Sequence, residues 1–194
     1  MSGSVAILGA GAWGTALAVH LASRAAARPR VTLWAREAMQ AERLASTGSN
    51  ARYLPGVALP ASPAITSDLG KAVAADLLVV ATPIAALVGL VQQLQGDAHA
   101  PALVWLSKGF VETRGEDARP VLPHQAIVPR WRAPVGVVSG PSFAEEVARG
   151  LPTALAVAAT AAPLASEVAG LLRSDTLRVY ESEDIVGVEV GGAV

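Results

Sequence analysis

A chain of 194 residues is long enough for one full domain and the opening of a second. With 15 lysines and arginines against 16 aspartates and glutamates, the formal net charge of -1 gives no ground for nucleic-acid binding, which takes a clustered basic excess. Apolar residues at 52% and charged residues at 16% exclude disorder, and the absence of cysteine excludes disulfides, thiolate metal sites and a thiol nucleophile.

Continuous apolar runs at Val5–Leu8, Val31–Trp34, Leu77–Ala81, Leu103–Leu106 and Val135–Ser139 read as buried strands. Segments 13–27, 37–46, 84–95 and 142–149 have helical length and spacing. This alternation predicts an α/β fold: a Rossmann-type, doubly wound, mostly parallel sheet covered by helices on both faces. Thr153–Ala158 and Thr176–Tyr180 flank a helix-like 162–173 and extend the same sheet. Proline clusters at 55–63 and 120–134 mark loops.

Residues 77–96 carry no formal charge, but Thr82-Pro83, Gly89, Gln92, Gln93 and Gln95 interrupt them. A membrane-spanning helix needs roughly 20 predominantly apolar residues, so strand, turn and amphipathic helix is the better reading and no membrane insertion is expected. The first positive charge is Arg24, too late for the charged start of a signal peptide, and a cytoplasmic location is expected.

Ser182-Glu183-Asp184 reads as a helix start, followed by the apolar stretch Ile185–Val194 with its single charge, Glu189. A helix apolar all round is expected to be buried. Residues 1–182 are therefore expected to form the Rossmann-type domain, and 183–194 to begin a helical substrate and catalytic domain. Exposed apolar surface near 185–194 also leaves a homodimer open.

Gly9-Ala10-Gly11-Ala12-Trp13-Gly14 directly follows the first strand and opens the first helix. A GxGxxG string alone is weak, but in this setting it is the dinucleotide fingerprint. Gly9 permits the tight turn, Gly11 clears the approach of a pyrophosphate, and Gly14 lets helix and sheet pack closely. Backbone N–H groups and the positive dipole end of the helix then face the phosphates. At the end of the second strand Arg36 stands where a 2′-phosphate would lie, which favours NADP. Glu37 follows and can contact a ribose, so NAD is tolerated.

Lys108 follows the strand Leu103–Leu106 at the carboxyl edge of the sheet, where it can meet a phosphate or polarise a carbonyl. Ser142 and Glu145 have capping-box spacing, which is compatible with ligand docking at the same helix start. Glu145-Glu146 reads as favourable charge in a first helical turn. Trp13 can pack on the core or on a cofactor. His20, His99 and His124 show no metal-ligand spacing, and no metal is assigned.

Together the glycine loop, Leu33-Trp34-Ala35-Arg36, Asn50-Ala51-Arg52-Tyr53-Leu54-Pro55, Ser107-Lys108-Gly109, Ser139–Val147 and Gly187–Ala193 resemble bacterial NAD(P)-dependent glycerol-3-phosphate dehydrogenase over essentially the whole chain. The Ser139-Gly140-Pro141-Ser142 segment with its two glutamates carries this resemblance more specifically than the loop does. It implies an enzyme interconverting sn-glycerol 3-phosphate, a small phosphorylated substrate, and dihydroxyacetone phosphate for phospholipid synthesis. It further implies cofactor contacts at Ala12, Trp13, Arg36, Lys108 and Ala144, and substrate contacts at Lys108, Gly140 and Ser142. Ala12 departs from the serine often found there, and the family's catalytic lysine would follow Val194. Residues 1–194 alone are thus expected to bind cofactor with little turnover. The alternatives are a non-catalytic dinucleotide-binding module and another Rossmann dehydrogenase of a phosphorylated substrate.

Overall fold

The computed structural model describes residues 3–23, 29–94, 100–113 and 119–193. Its elements run β1 (Ser4–Leu8), α1 (Ala12–Ser23), β2 (Arg30–Trp34), α2 (Ala38–Thr47), β3 (Ser49–Asn50), β4 (Leu54–Ala58), β5 (Ala64–Thr66), α3 (Leu69–Val73), β6 (Leu77–Val80) and α4 (Ile84–Leu94). They continue as β7 (Ala102–Trp105), β8 (Val111–Glu112), β9 (Pro120–Val121), α5 (Pro123–Ile127), β10 (Val135–Ser139), α6 (Ala144–Ala148), β11 (Thr153–Ala159), α7 (Ala162–Leu172), β12 (Leu177–Ser182) and α8 (Ile185–Ala193).

One sheet of eight strands has the order β12-β11-β10-β7-β6-β1-β2-β5. The six from β5 to β10 are parallel; β11 pairs antiparallel to β10, and β12 runs parallel to β11. The chain builds outward from β1 through β2 to β5, then returns to β6 and builds the other way. The order therefore reverses between β1 and β6, which opens a crevice at their carboxyl ends.

Side-chain alternation sorts the core into two layers. Val5 and Ile7 of β1 join the layer of α1, α2, α6 and α7, whereas Ala6 and Leu8 join that of α3, α4 and Trp105. Parallel strands covered on both faces must be apolar at every position, and β6 (Leu77-Leu78-Val79-Val80) is buried throughout. Helix α1 is buried from Gly14 to Ala22, between the sheet and α6, and its small side chains permit that approach. His20 on this helix is buried, with Nε2 2.8 Å from the Leu172 carbonyl oxygen, so it joins α1 to α7.

The major strands and helices lie within a few residues of their expected positions. The helices expected over 13–27 and 84–95 are described to Ser23 and Leu94; their remainders, with Arg24, His99 and Val194, lie outside the described residues. Two expectations are corrected. The proline-rich stretches are not all loop: β4 begins Leu54-Pro55, β9 begins at Pro120, and Pro123 opens α5, where a missing N–H breaks no helical bond. In place of the expected Ser142–Glu145 capping box, Phe143 occupies the cap without a side-chain acceptor, and only the return bond forms, its backbone N–H donating to Glu146 Oε2 at 3.3 Å. Ser142 instead donates to the Gly140 carbonyl at 3.3 Å.

Helix α8 leaves apolar surface exposed, as expected near 185–194. Val186 and Val190 are exposed, and the one buried residue of the helix is its only charge, Glu189. Ile185 and Val188 pack on the layer containing Trp105, while α8 lies against β10 and β11. Apolar character is nearly uniform round this helix, so hydrophobicity could not select a face; a specific polar partner did. Asp184 starts the helix as expected, accepting the Gly187 N–H at 2.8 Å.

Candidate functional site

Where β1 ends, Gly9 turns the chain with φ of +124°, and its N–H donates to the Trp34 carbonyl at 3.0 Å. A Cβ here would stand 2.9 Å from the Ala81 carbonyl oxygen. A Cβ at Gly14 would collide with the Gly9 carbonyl, so this glycine sets how closely α1 enters the sheet. Gly11 is the opposite case: a Cβ there would find nothing within 4 Å. Its bareness serves no internal packing; it leaves open space beside the N–H groups at the start of α1, which have no acceptor within the helix.

The loop is braced by residues that its own sequence does not reveal. The Ala10 carbonyl accepts hydrogen bonds from Gln40 Nε2 at 2.7 Å and Asn50 Nδ2 at 3.0 Å. Asn50 also donates to Thr15 Oγ1 at 2.7 Å, and both Asn50 and Thr15 are buried. With the carbonyl drawn inward by α2 and β3, the loop's N–H edge is left towards the crevice. A buried Asn beside turn residues was the available signal, but its partners lie 35 and 40 residues away.

In front of the loop lies a cleft of about 500 Å³ whose lining includes Gly9, Gly11, Arg36, Tyr53, Thr82 and Gln93. Arg36 follows β2 at its rim, largely exposed, with Nη2 3.8 Å from the Glu37 carboxylate. So exposed a pair contributes little to stability and leaves the guanidinium available. Ala12 and Trp13 are half-buried; Trp13 packs against the α1-side core. Ala144 is buried in that same core.

A second group gathers at the ends of β7 and β10. Lys108 Nζ donates to the Gly140 carbonyl at 2.8 Å, the oxygen that also accepts from Ser142. Gly140 has φ of +151°, and a Cβ would stand 2.8 Å from the Ala154 carbonyl oxygen of β11. Beside this group is a hollow of about 260 Å³ lined by Ser139, Gly140, Asp184, Gly187, Val188 and Gly191. Gly192 of α8 comes so close to Ser139 that a side chain there would collide with its Oγ, and Lys108 lies beside the same spot. The structure thus brings Gly9, Gly11 and Arg36 to one cleft, and Lys108, Gly140 and Ser142 to a second cluster walled by α8.

Glu189 anchors that wall. Its Oε1 accepts the His124 backbone N–H at 2.9 Å, and its Oε2 meets His124 Nδ1. Burial pushes the Glu189 carboxyl above its ordinary value, and the bonds from His124 partly offset that rise. Among the described residues no group of three or more His, Asp or Glu side chains could hold a metal ion. No helix described is long and apolar enough to cross a membrane.

A six-stranded parallel core reversing beside a glycine turn at a helix start defines a Rossmann-type domain of the dinucleotide-binding class. A family model described as NAD-dependent glycerol-3-phosphate dehydrogenase N-terminus matches residues 4–165, and the chain belongs to that family. It is 49% identical over 192 residues to a glycerol-3-phosphate dehydrogenase [NAD(P)+] of Acidovorax sp. (strain JS42), covering 98% of this chain and 56% of that protein. The protein of the same name from Paucimonas lemoignei is 48% identical over 197 residues, with the same shares of 98% and 56%. A crystal structure of glycerol-3-phosphate dehydrogenase from Coxiella burnetii superposes with a TM-score of 0.88 at 30% identity, covering 98% of this chain and 57% of that one. The chain thus spans just over half the length of the curated relatives it matches.

Proposed function

We propose that this chain is the cofactor-binding part of an NAD(P)-dependent glycerol-3-phosphate dehydrogenase, an oxidoreductase interconverting sn-glycerol 3-phosphate and dihydroxyacetone phosphate for glycerophospholipid synthesis. The observation that carries the reading is the bare Gly11 facing the cleft where the strand order reverses, in a chain 49% identical to such a dehydrogenase. The residues fit a dinucleotide: an open edge for the pyrophosphate, and a guanidinium at the rim for the adenosine end.

Gly9, Gly11, Ala12, Trp13, Gly14, Arg36, Lys108 and Ala144 are proposed to surround the cofactor, with NADP preferred over NAD. Lys108, Gly140 and Ser142 are proposed to hold the phosphorylated substrate. Bound cofactor supplies hydride chemistry at its nicotinamide; the protein aligns the carbon that gives or takes the hydride. Residues 1–182 form the Rossmann-type domain in this reading, and 183–194 begin the helical domain. The resemblance assigns proton transfer to a lysine that follows the Gly-Gly-Ala-x segment in that family. The reading places the protein in the cytoplasm, without nucleic-acid partners, and leaves a homodimer as its assembly.

Isothermal titration of the folded chain with NADPH and NADH tests this. Saturable binding, tighter for NADPH, is the expected result. Absence of heat with both, on material whose circular dichroism shows the α/β fold, overturns it.

A further inference from the structure

We propose that Arg52, seated on the ring of Tyr53, is a second recognition group for a ribose 2′-phosphate, so that the tip of the β3–β4 hairpin determines cofactor specificity together with Arg36. The proposal rests on the cofactor reading above and names a determinant which that reading does not contain.

Arg36 alone is a poor selector. The Glu37 carboxylate stands 3.8 Å from its guanidinium and lines the same cleft, where it would repel a dianionic phosphate. A further cation must outweigh that repulsion if the doubly charged group is to be favoured. The hairpin supplies one. The Arg52 Cζ lies 5.0 Å from the Tyr53 ring centroid, a cation–π seat that limits the side chain's freedom without neutralising it.

Tyr53 links two hollows. It lines the 500 Å³ cleft with Arg36, and also an adjoining hollow of about 240 Å³ lined by Glu37, Arg43 and Arg52 among others. Glu37 and Gln40 likewise border both. The two spaces therefore meet at Glu37 and Tyr53, with Arg36 on one side of the junction and Arg52 and Arg43 on the other. Neither Arg43 nor Arg52 is in an ion pair among the described residues.

The hairpin tip is also held in register with the glycine loop. The Tyr53 N–H closes a turn on the Asn50 carbonyl at 3.2 Å, and the side chain of Asn50 grips the Ala10 carbonyl and Thr15. Arg52 is thus fixed relative to the pyrophosphate edge by three residues of turn, which is the preorganisation a charge-reading group requires.

The test measures dissociation constants of the 194-residue chain for NADPH, NADH, 2′-AMP and 5′-AMP. Arg52→Ala is expected to weaken NADPH and 2′-AMP about tenfold, the scale of one hydrogen bond to a charged group. NADH and 5′-AMP should change less than about twofold, because neither carries the phosphate that Arg52 reads. Tyr53→Phe should keep the preference and Tyr53→Ala should reduce it, since the ring is the seat. The NADPH preference should also fall with added salt, less steeply in Arg52→Ala. Equal effects on both cofactors, or none, overturn the role of Arg52 while leaving the cofactor reading intact. If the folded wild-type chain binds neither dinucleotide, the cofactor reading itself fails and the proposal falls with it.

Discussion

His124 and Glu189, 65 residues apart, meet through a two-point contact in which both carboxylate oxygens of α8 are taken by one residue of α5, its backbone N–H and its imidazole Nδ1. The carboxylate side chain is 1% exposed. A helix of nearly uniform apolarity is thereby locked in one rotation, with Gly192 against Ser139 and beside Lys108. The Trp105 indole N–H lies close enough to steady the carboxylate but outside hydrogen-bonding geometry. Glu189→Ala leaves the His124 donors without these acceptors and should cost about 1–3 kcal/mol in urea denaturation.

The same pair predicts a pH dependence. Burial holds the folded Glu189 carboxyl above its ordinary value of 4.5, so the folded chain binds this proton more tightly than the unfolded chain does. The contribution of this group to stability is therefore greatest below that value and declines as pH rises towards the elevated folded pKa. Glu189→Gln should remove that decline. The check is the difference between the wild-type and variant stability profiles measured by denaturation across the acidic range.

Gly11 and Gly14 should fail in different ways. Gly11→Val has room and should leave the melting temperature nearly unchanged while abolishing dinucleotide binding, because the side chain would project beside the pyrophosphate edge. Gly14→Val drives a side chain into the Gly9 carbonyl and should destabilise the fold itself by at least the 1–3 kcal/mol of an overpacked core. Calorimetric melting and cofactor titration on both variants separate the two.

Asn50→Ala removes two donors that reach the loop and the first helix. Thr15 Oγ1 would lose its buried donor, and the Ala10 carbonyl would be left with Gln40. Stability should fall by about 1–3 kcal/mol, and cofactor affinity should fall more than for Gln40→Ala, which leaves both Asn50 bonds in place. Parallel titrations of the two variants check the ranking.

Arg36→Ala should narrow the NADPH preference by weakening NADPH with little change in NADH, since among the described residues the exposed guanidinium has only Glu37 as a close ionic partner. An unchanged ratio of the two dissociation constants would remove Arg36 from the specificity site.

Strands such as Leu77–Val80 and the turn at Gly9 were legible in the residues, because a fully buried parallel strand and a glycine turn at a helix start leave a signature within a few positions. The short β5, α3 and α5 were not: each has too few residues to express a period, and the prolines at 55, 120 and 123 read as punctuation. In the candidate site, Gly9, Gly11, Gly14, Arg36 and Lys108 announced themselves by residue type beside a strand end. Gln40 and Thr15 did not, because their importance lies in which distant atom they reach.

The amino-acid order by itself determined the alternation of elements, the place of the glycine loop and the family, since all three rest on patterns a few residues long. Only tertiary structure decided that Asn50 should brace the loop, that Arg52 should share a junction with Arg36, and that the charged residue of α8 should turn inward. Each of those outcomes depends on partners brought together by the closing of the sheet. Hydrogen bonding and charge pairing act through space over a few ångströms, and no local periodicity encodes who will be within reach.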